Sequence, residues 1–105
     1  MENTYTLSFT ASFADSFEEH IHQWEEFGLS EQSIQKFVGN IQSSLELLEY
    51  NPEMFEDIAD RYAFDKPTFR ITVGNRYAIF FRIDDEKRQV LVGSLFSQNQ
   101  MNVSF

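Results

Sequence analysis

The chain has 105 residues, enough for one domain with a modest core and too few for two, so residues 1–105 are expected to form a single domain. It contains no cysteine, which excludes disulfides and thiolate chemistry, and no run of roughly 20 apolar residues that could span a membrane. The first residues lack a basic region followed by an apolar run, so we expect no signal peptide and a cytoplasmic location. The net charge of −9 argues against direct DNA binding by this chain alone, since phosphate binding relies on Lys and Arg.

The charges are distributed unevenly along the chain. Residues 1–60 contain 13 acidic side chains and one basic side chain, Lys36, for a net charge of −12. Residues 61–105 contain seven basic and four acidic side chains, for a net charge of +3. This asymmetry is typical of a solvated acidic helical half beside a less acidic sheet, and it equally fits a basic sheet surface that meets an acidic partner.

The first elements are a short strand and a helix. Residues 5–10 alternate apolar and polar side chains, as in a half-buried strand. Ser12 and Asp15 have the spacing of a capping box, so the sequence predicts a first helix that begins at Ser12. Gly28 suits the left-handed position that follows a helix, and the helix is predicted to end there.

A second, longer helix is predicted after Ser30, which is a plausible cap. Its apolar side chains recur every three or four residues: Ile34, Phe37, Val38, Ile41, Leu45 and Leu48. Pro52 ends the helix, because proline disfavours helical geometry in the residue before it. Residues 53–67 form a connection, in which Tyr62 and Phe64 are either exposed binding aromatics or a lid on the core.

From residue 68 onward the apolar pattern has a period of two, which indicates strands. A three-residue loop at 74–76 pairs Val73 with Tyr77 and keeps the apolar side chains of both strands on one face. A two-residue loop would place them on opposite faces. The chosen register sets Arg70 opposite Phe80, with Arg82 further along the same face.

A last strand at residues 89–96 is apolar enough to be central or covered on both sides. The predicted fold class is therefore α+β: an N-terminal strand, a two-helix hairpin, then a three-stranded antiparallel meander with the helices on one sheet face. The opposite face would carry Arg70, Ala78, Phe80 and Arg82 and stay open to a partner.

Three runs in this order carry a resemblance: residues 69–71 (FRI), 75–84 (NRYAIFFRID) and 90–92 (VLV). Together they resemble the C-terminal half of toxins of the RelE/ParE superfamily. Residues 47–52 (LLEYNP) resemble a step between the helical hairpin and the sheet of the same superfamily. The likeness covers most of the chain and is strongest over residues 68–92.

The resemblance implies a toxin of a type II toxin–antitoxin (plasmid stabilisation) system with the RelE/ParE-like fold. It implies a protein antitoxin that lays an extended or helical segment over the sheet face and the helical hairpin. It also implies DNA gyrase or the ribosome as candidate targets, since members of the superfamily poison gyrase or cut translated mRNA. The candidate residues for binding the target or the antitoxin are Arg70, Arg76, Tyr77, Phe80 and Arg82.

The sequence departs from the mRNA-cleaving relatives after the last strand. Where many of them have His-Gly-Arg, this chain has Ser97 at the His position and Asn99 at the Arg position, and neither is a proton donor or acceptor near neutral pH. These departures favour a gyrase-type binding toxin. Two alternatives stay open: a ribosome-dependent mRNA endonuclease in which Arg70 stabilises the transition state and Arg82 holds the backbone, or a non-toxic binding module.

No cofactor or metal site is predicted. His20 and His22 stand two residues apart on a helix and therefore point to different faces. The carboxylates of residues 53–60 lack the spacing and the glycine of a calcium loop. We interpret both groups as solvated surface.

Overall fold

The computed structural model describes residues 4–99 and 103–105 and confirms the predicted α+β fold class. The elements in chain order are β1 (Thr6–Phe9), α1 (Ala11–Glu26), α2 (Glu31–Tyr50), a 3-10 turn (Pro52–Met54), β2 (Phe69–Val73), β3 (Tyr77–Asp84) and β4 (Gln89–Ser97). The sheet has the strand order β1-β4-β3-β2, in which β1 runs parallel to β4 and the other neighbours are antiparallel. β4 is therefore central, as its apolar sequence predicted.

The start of α1 differs from the prediction. Thr10 caps the helix, because its Oγ1 accepts a hydrogen bond from the amide of Phe13 at 3.1 Å, and Ser12 already lies within the first turn. The same Oγ1 donates to the carbonyl of Val92 at 2.9 Å, so Thr10 also ties the end of β1 to β4. Thr10 therefore has the capping role that the sequence predicted for Ser12, because its hydroxyl bonds to both α1 and β4.

The other helix boundaries follow the sequence. Gly28 has a φ of +77°, the left-handed geometry that favours glycine after a helix. Ser30 caps α2, since its Oγ accepts from the amide of Ser33 at 3.1 Å. α2 ends at Tyr50, two residues before Pro52.

The β2–β3 hairpin has the predicted register. Val73 pairs with Tyr77 across a three-residue loop, and Arg70 pairs with Phe80. The apolar side chains of both strands therefore share the face covered by the helices. The first core forms on that face from buried residues of all the main elements: Tyr5, Phe13, Ile41, Leu48, Ile71, Val73, Ile79, Phe81, Val90, Val92 and Leu95.

The opposite sheet face is not open, and here the sequence expectation was wrong. A second core forms on it from Ile58, Ala78, Phe80 and Phe96, all of which are buried. Side chains from two irregular segments, residues 58–64 and 103–105, pack over these four. The physical reason is that the rings of Phe80 and Phe96, whose centroids lie 4.2 Å apart, present a large apolar surface. The chain covers this surface with its own aromatic side chains.

A bulge in β4 gives residues 103–105 their place. Ile79 pairs with Leu95 while Phe81 pairs with Val92, so Gly93 and Ser94 together face one residue of β3. The amide of Ser94 donates to the carbonyl of Phe105 at 2.9 Å. The Phe105 ring lies directly against Gly93, where a Cβ would come within 2.6 Å of it.

Candidate binding surfaces

The five candidate residues of the sequence analysis fall into two separate places. Arg70, Phe80 and Arg82 belong to the sheet face that carries the second core, whereas Tyr77 packs on the helix side. Arg76 immediately precedes Tyr77 in the hairpin loop. Tyr77 and Arg82 lie five residues apart on β3, roughly 16 Å at about 3.3 Å per residue.

Phe80 is fully buried, so it is not a contact residue of an exposed surface. The rings of Tyr62 and Phe64 each lie 5.0 Å from its ring, edge to face. Tyr62 and Phe64 are thus the lid on the core that the sequence left as one of two alternatives. Both lid rings are half-buried and form the outer layer of this face.

The two arginines of this face are held by different neighbours within the chain. Nη1 of Arg70 donates to the hydroxyl of Tyr62 at 2.7 Å. Nε of Arg82 donates to Oγ1 of Thr68 at 3.1 Å, and its guanidinium lies 4.0 Å above the ring of Phe105. Each guanidinium keeps further N–H donors, but its orientation is fixed by neighbours within the chain.

A groove opens at the other end of the sheet, between the helix ends and the hairpin loop. We call it the hairpin-end groove; its volume is about 590 Å³. The residues that line it come from α1, the α1–α2 turn, α2 and the β2–β3 hairpin: Gln23, Trp24, Phe27, Leu29, Ser33, Ile34, Phe37, Asn40, Val73, Gly74, Asn75, Arg76 and Tyr77. It therefore contains two of the five predicted residues, Arg76 and Tyr77.

The floor of the hairpin-end groove is an aromatic cluster. The ring of Phe37 lies 4.2 Å from Trp24 and 4.6 Å from Tyr77. Nε1 of Trp24 donates to the hydroxyl of Tyr77 at 3.0 Å, which satisfies the indole donor in a buried position. The cluster is a rigid wall, because its three rings come from three different elements.

The rim of the groove is apolar and exposed. Phe27 is 82% exposed and Leu29 is 47% exposed, on either side of the Gly28 turn. Arg76 is exposed on the opposite rim, in the hairpin loop. Trp24, Phe27 and Leu29 were not among the residues that the sequence predicted for a binding site. The sequence feature that could have indicated the groove is the pair of large apolar residues, Phe27 and Leu29, on either side of Gly28.

His20 lies behind the aromatic cluster. Its ring is 5.3 Å from Tyr77 and 6.0 Å from Trp24. Burial lowers the pKa of His20 below its usual value of 6.5, against the opposing effects of a hydrogen bond with the backbone of Leu95 and the charge of Glu19. In the described part of the chain, Nδ1 of His20 is buried without a hydrogen-bond partner.

The residues that follow β4 run beside the hairpin loop. The amide of Gln98 donates to the carbonyl of Arg76 at 2.7 Å, and the amide of Asn99 lies 3.4 Å from Oγ of Ser97. Ser97, Gln98 and Asn99 offer hydrogen bonds but no group that titrates near neutral pH.

Metal binding finds no support among the described residues, where no three His, Cys, Asp or Glu side chains are grouped to hold an ion. His22 pairs instead with Glu26 at 3.1 Å on the exposed side of α1. Neither helix of residues 4–99 combines the length and apolarity that crossing a bilayer requires.

A two-helix hairpin on a β1-β4-β3-β2 sheet is the fold of RelE-type toxins. The chain is similar to a chain of the RelBE2 toxin–antitoxin complex from Mycobacterium tuberculosis, with a TM-score of 0.59 and 16% identity over 90% of this chain and 99% of that chain. It also matches the intact RelBE toxin–antitoxin complex of E. coli, with a TM-score of 0.47 and 16% identity over 87% of this chain and 93% of that chain.

The family itself is defined by sequence. The family model described as the ParE toxin of the type II toxin–antitoxin system parDE matches residues 7–101. The chain therefore belongs to the ParE toxin family, within the RelE/ParE superfamily that the sequence analysis identified. No curated protein sequence matches it.

Proposed function

We propose that this protein is a toxin that acts by binding a macromolecular target, with DNA gyrase as the candidate, and that a protein antitoxin neutralises it. The observation that carries the proposal is the hairpin-end groove, an open apolar surface with Arg76 on its rim. Tryptophan, tyrosine and arginine are the residue types that dominate binding energy at protein interfaces. Tyr77 and Arg76 present two of these types in the groove, over the buried ring of Trp24 in its floor.

The groove has the form that a peptide helix or an extended segment needs. Exposed Phe27 and Leu29 offer apolar area at its rim, and the aromatic floor gives a rigid wall for anchor side chains. A disordered antitoxin segment that folds as it binds fits such a surface. The solved RelBE2 complex contains toxin and antitoxin together, and the matching family model describes the toxin of a toxin–antitoxin system, which supports an antitoxin partner for this chain.

In this proposal the toxin binds its target and does not cleave it. An mRNA endonuclease needs groups that move protons, and Ser97 and Asn99 stand at the positions where the cleaving relatives have His and Arg. Arg70 and Arg82 remain as phosphate contacts for the endonuclease alternative. Their hydrogen bonds to Tyr62 and Thr68 would have to be exchanged for contacts with the phosphate.

The test is expression of the chain in cells that lack its antitoxin. We expect growth arrest with wild type and relief of arrest with Arg76→Ala or Phe27→Ser. Arg61→Ala is the matched control, because Arg61 is exposed and lies outside the groove. Arg70→Ala and Arg82→Ala examine the lid face in the same way.

Two measurements on the arrested cells separate the targets. Relaxed plasmid DNA with unchanged transcript ends supports gyrase. New 5′ ends in translated transcripts, abolished by Arg70→Ala or Arg82→Ala, would establish the endonuclease and overturn the proposal. Normal growth with a well-expressed, folded wild-type chain would leave the non-toxic binding module.

A further inference from the structure

The strand β1 has a free edge. It lies at the end of the sheet, and among the strands of residues 4–99 it pairs with β4 alone. The amide of Thr6 donates to the carbonyl of Arg88, just before β4, at 2.9 Å, and the amide of Thr10 donates to the carbonyl of Val92 in β4 at 3.1 Å. In a parallel ladder alternate residues turn their backbone groups toward the partner strand, so the amides of Leu7 and Phe9 point away from the sheet.

The amide of Tyr5, which also points away from β4, already has a hydrogen-bond acceptor. The amide of Tyr5 donates to the carbonyl of Glu49 at 2.7 Å, which ties the start of β1 to the end of α2. Within the described ranges, Leu7 and Phe9 have no such partner from α2. The free edge is therefore two residues long, closed at one end and open at Phe9, which is 51% exposed.

A groove of about 650 Å³ runs between this edge and α2; we call it the β1-edge groove. One wall is Tyr5 together with Thr6, Leu7 and Phe9 of β1. The other wall is a single stripe of α2, with Gln42, Leu45, Glu46 and Glu49. The spacing of three and four residues places these four side chains on one side of the helix. The stripe is roughly 10 Å long at 1.5 Å per residue, the length of about three residues of extended chain.

The helix wall is acidic. Among the described residues, neither Glu46 nor Glu49 forms an ion pair with Lys or Arg. None of the residues that line the groove is basic. The surrounding half of the chain is acidic as well, with 13 acidic side chains and Lys36 as its one basic side chain over residues 1–60.

From these features we infer that the β1-edge groove binds a cationic extended segment of a protein partner, which adds to β1 as a fifth strand. Its backbone meets the amides of Leu7 and Phe9. Alternate apolar side chains cover Leu7, Leu45 and Phe9, and Lys or Arg side chains reach Glu46 and Glu49 along their aliphatic stems. The inference rests on the proposed function only in taking that partner to be the antitoxin.

The acidic charge of the β1-edge groove favours a cationic segment over two other occupants. An acidic segment would place its carboxylates beside Glu46 and Glu49 without a compensating cation. A second copy of the chain, paired edge to edge through β1, would bring the two acidic walls together. A cationic segment is the one of the three that gains from both the open backbone and the charge.

The test uses synthetic peptides and the full chain. The probe is a short peptide of alternating valine and lysine, and its counterpart has glutamate in place of lysine. Binding is followed by amide shifts and hydrogen exchange. We expect the lysine peptide to protect the amides of Leu7 and Phe9, while the amides of Thr6 and Ser8, which face β4, change little.

Charge variants identify the wall. Glu46→Gln combined with Glu49→Gln should weaken the lysine peptide about fivefold, as expected for two surface ion pairs. Glu18→Gln combined with Glu25→Gln is the matched control, because it makes the same change of net charge on the exposed side of α1. The control should bind like wild type, and both variants should unfold like wild type.

Three results would overturn the inference. The first is equal or tighter binding of the glutamate peptide, and the second is an equal loss of affinity in the control variant. The third is unchanged amides at Leu7 and Phe9 in the presence of saturating lysine peptide. Growth arrest does not enter this test, so its outcome is independent of whether the proposed toxin activity is found.

Discussion

The indole of Trp24 and the hydroxyl of Tyr77 are joined by a hydrogen bond of 3.0 Å, across 53 residues of sequence. This bond connects the second half of α1 to the first residue of β3. It therefore holds the helical hairpin and the β-hairpin in the relative position that forms the hairpin-end groove. Trp24 is also the single tryptophan of the chain, so its fluorescence reports on this groove alone.

Tyr77→Phe removes the acceptor and leaves the buried Nε1 of Trp24 without a partner. An unsatisfied buried donor costs about 1–3 kcal/mol, so we expect the free energy of unfolding to fall by that amount in urea titrations. Tyr50→Phe is the matched control, because Tyr50 is exposed on the last turn of α2. Equal stability of the two variants would show that the bond contributes nothing.

His20 makes the stability of the protein sensitive to acid. Burial lowers the pKa of His20 in the folded state, so the unfolded chain takes up the proton first. The contribution of His20 is present above pH 6.5 and is lost as the pH falls below that value. We expect His20→Gln to lose less unfolding free energy than wild type between about pH 7.5 and about pH 5.5.

The matched control is His22→Gln, since His22 lies on the exposed side of the same helix. It measures the effect of removing a histidine from the surface of α1, with which the effect of His20→Gln is compared. Trp24 fluorescence supplies a second readout, because the His20 ring lies 6.0 Å from the indole. An acid response of His20→Gln that matches wild type would contradict the assignment.

Gly93→Ala should release residues 103–105 from the sheet. The added Cβ would lie 2.6 Å from a ring carbon of Phe105 and 2.8 Å from its carbonyl oxygen, too close for either to stay. The amide of Ser94 then loses its acceptor, and its hydrogen exchange should become faster. Combining the change with Phe105→Ala tests the mechanism: the two losses of stability should be less than additive, and full additivity would contradict it.

Tyr5 links β1 to two loops at the far end of the sheet. Its hydroxyl lies 2.7 Å from Oε1 of Glu53 and 3.1 Å from Oδ1 of Asp85, and it accepts from Nη1 of Arg88 at 3.0 Å. The hydrogen bond to Glu53, then burial and the bond to Asp85, raise the pKa of Tyr5 to about 12 from its usual value of 10.0. The folded state therefore keeps the hydroxyl proton longer than the unfolded chain does.

The consequence is an alkaline limit to stability. The contribution of Tyr5 is complete below pH 10.0 and is lost as the pH rises from there toward about 12. We expect Tyr5→Phe to be less stable than wild type at neutral pH and to lose less stability over that alkaline range. Thermal unfolding at several pH values measures both effects. Parallel alkaline losses in the two proteins would contradict the raised pKa.

The sequence predicted the parts of the fold that local pattern controls. The alternation of residues 69–83 fixed the hairpin register, because a shift by one residue would expose every apolar side chain. Gly28 and Pro52 marked helix ends through backbone geometry alone. The start of α1 was misplaced because Ser12 and Asp15 have the local spacing of a capping box, whereas the hydrogen bond that ties Thr10 to β4 is not a local feature.

The sites depend on contacts that local pattern does not contain. For Tyr62 and Phe64 the sequence left exposure and a lid on the core as alternatives, and for residues 103–105 it gave no apolar period, so spacing alone did not decide that both segments pack over Phe80. The hairpin-end groove unites Trp24 with Tyr77 from distant parts of the chain. The sequence therefore named Arg76 and Tyr77 as candidates without indicating the groove that they line, and it predicted an open face where Phe80 is buried.

The count of viable cells after induction, in a strain without the antitoxin, decides whether the protein is toxic through the hairpin-end groove. We predict that wild type reduces the count and that Arg76→Glu, expressed and folded to the same level, restores it. Full viability with wild type, or killing by Arg76→Glu equal to that by wild type, would contradict the claim.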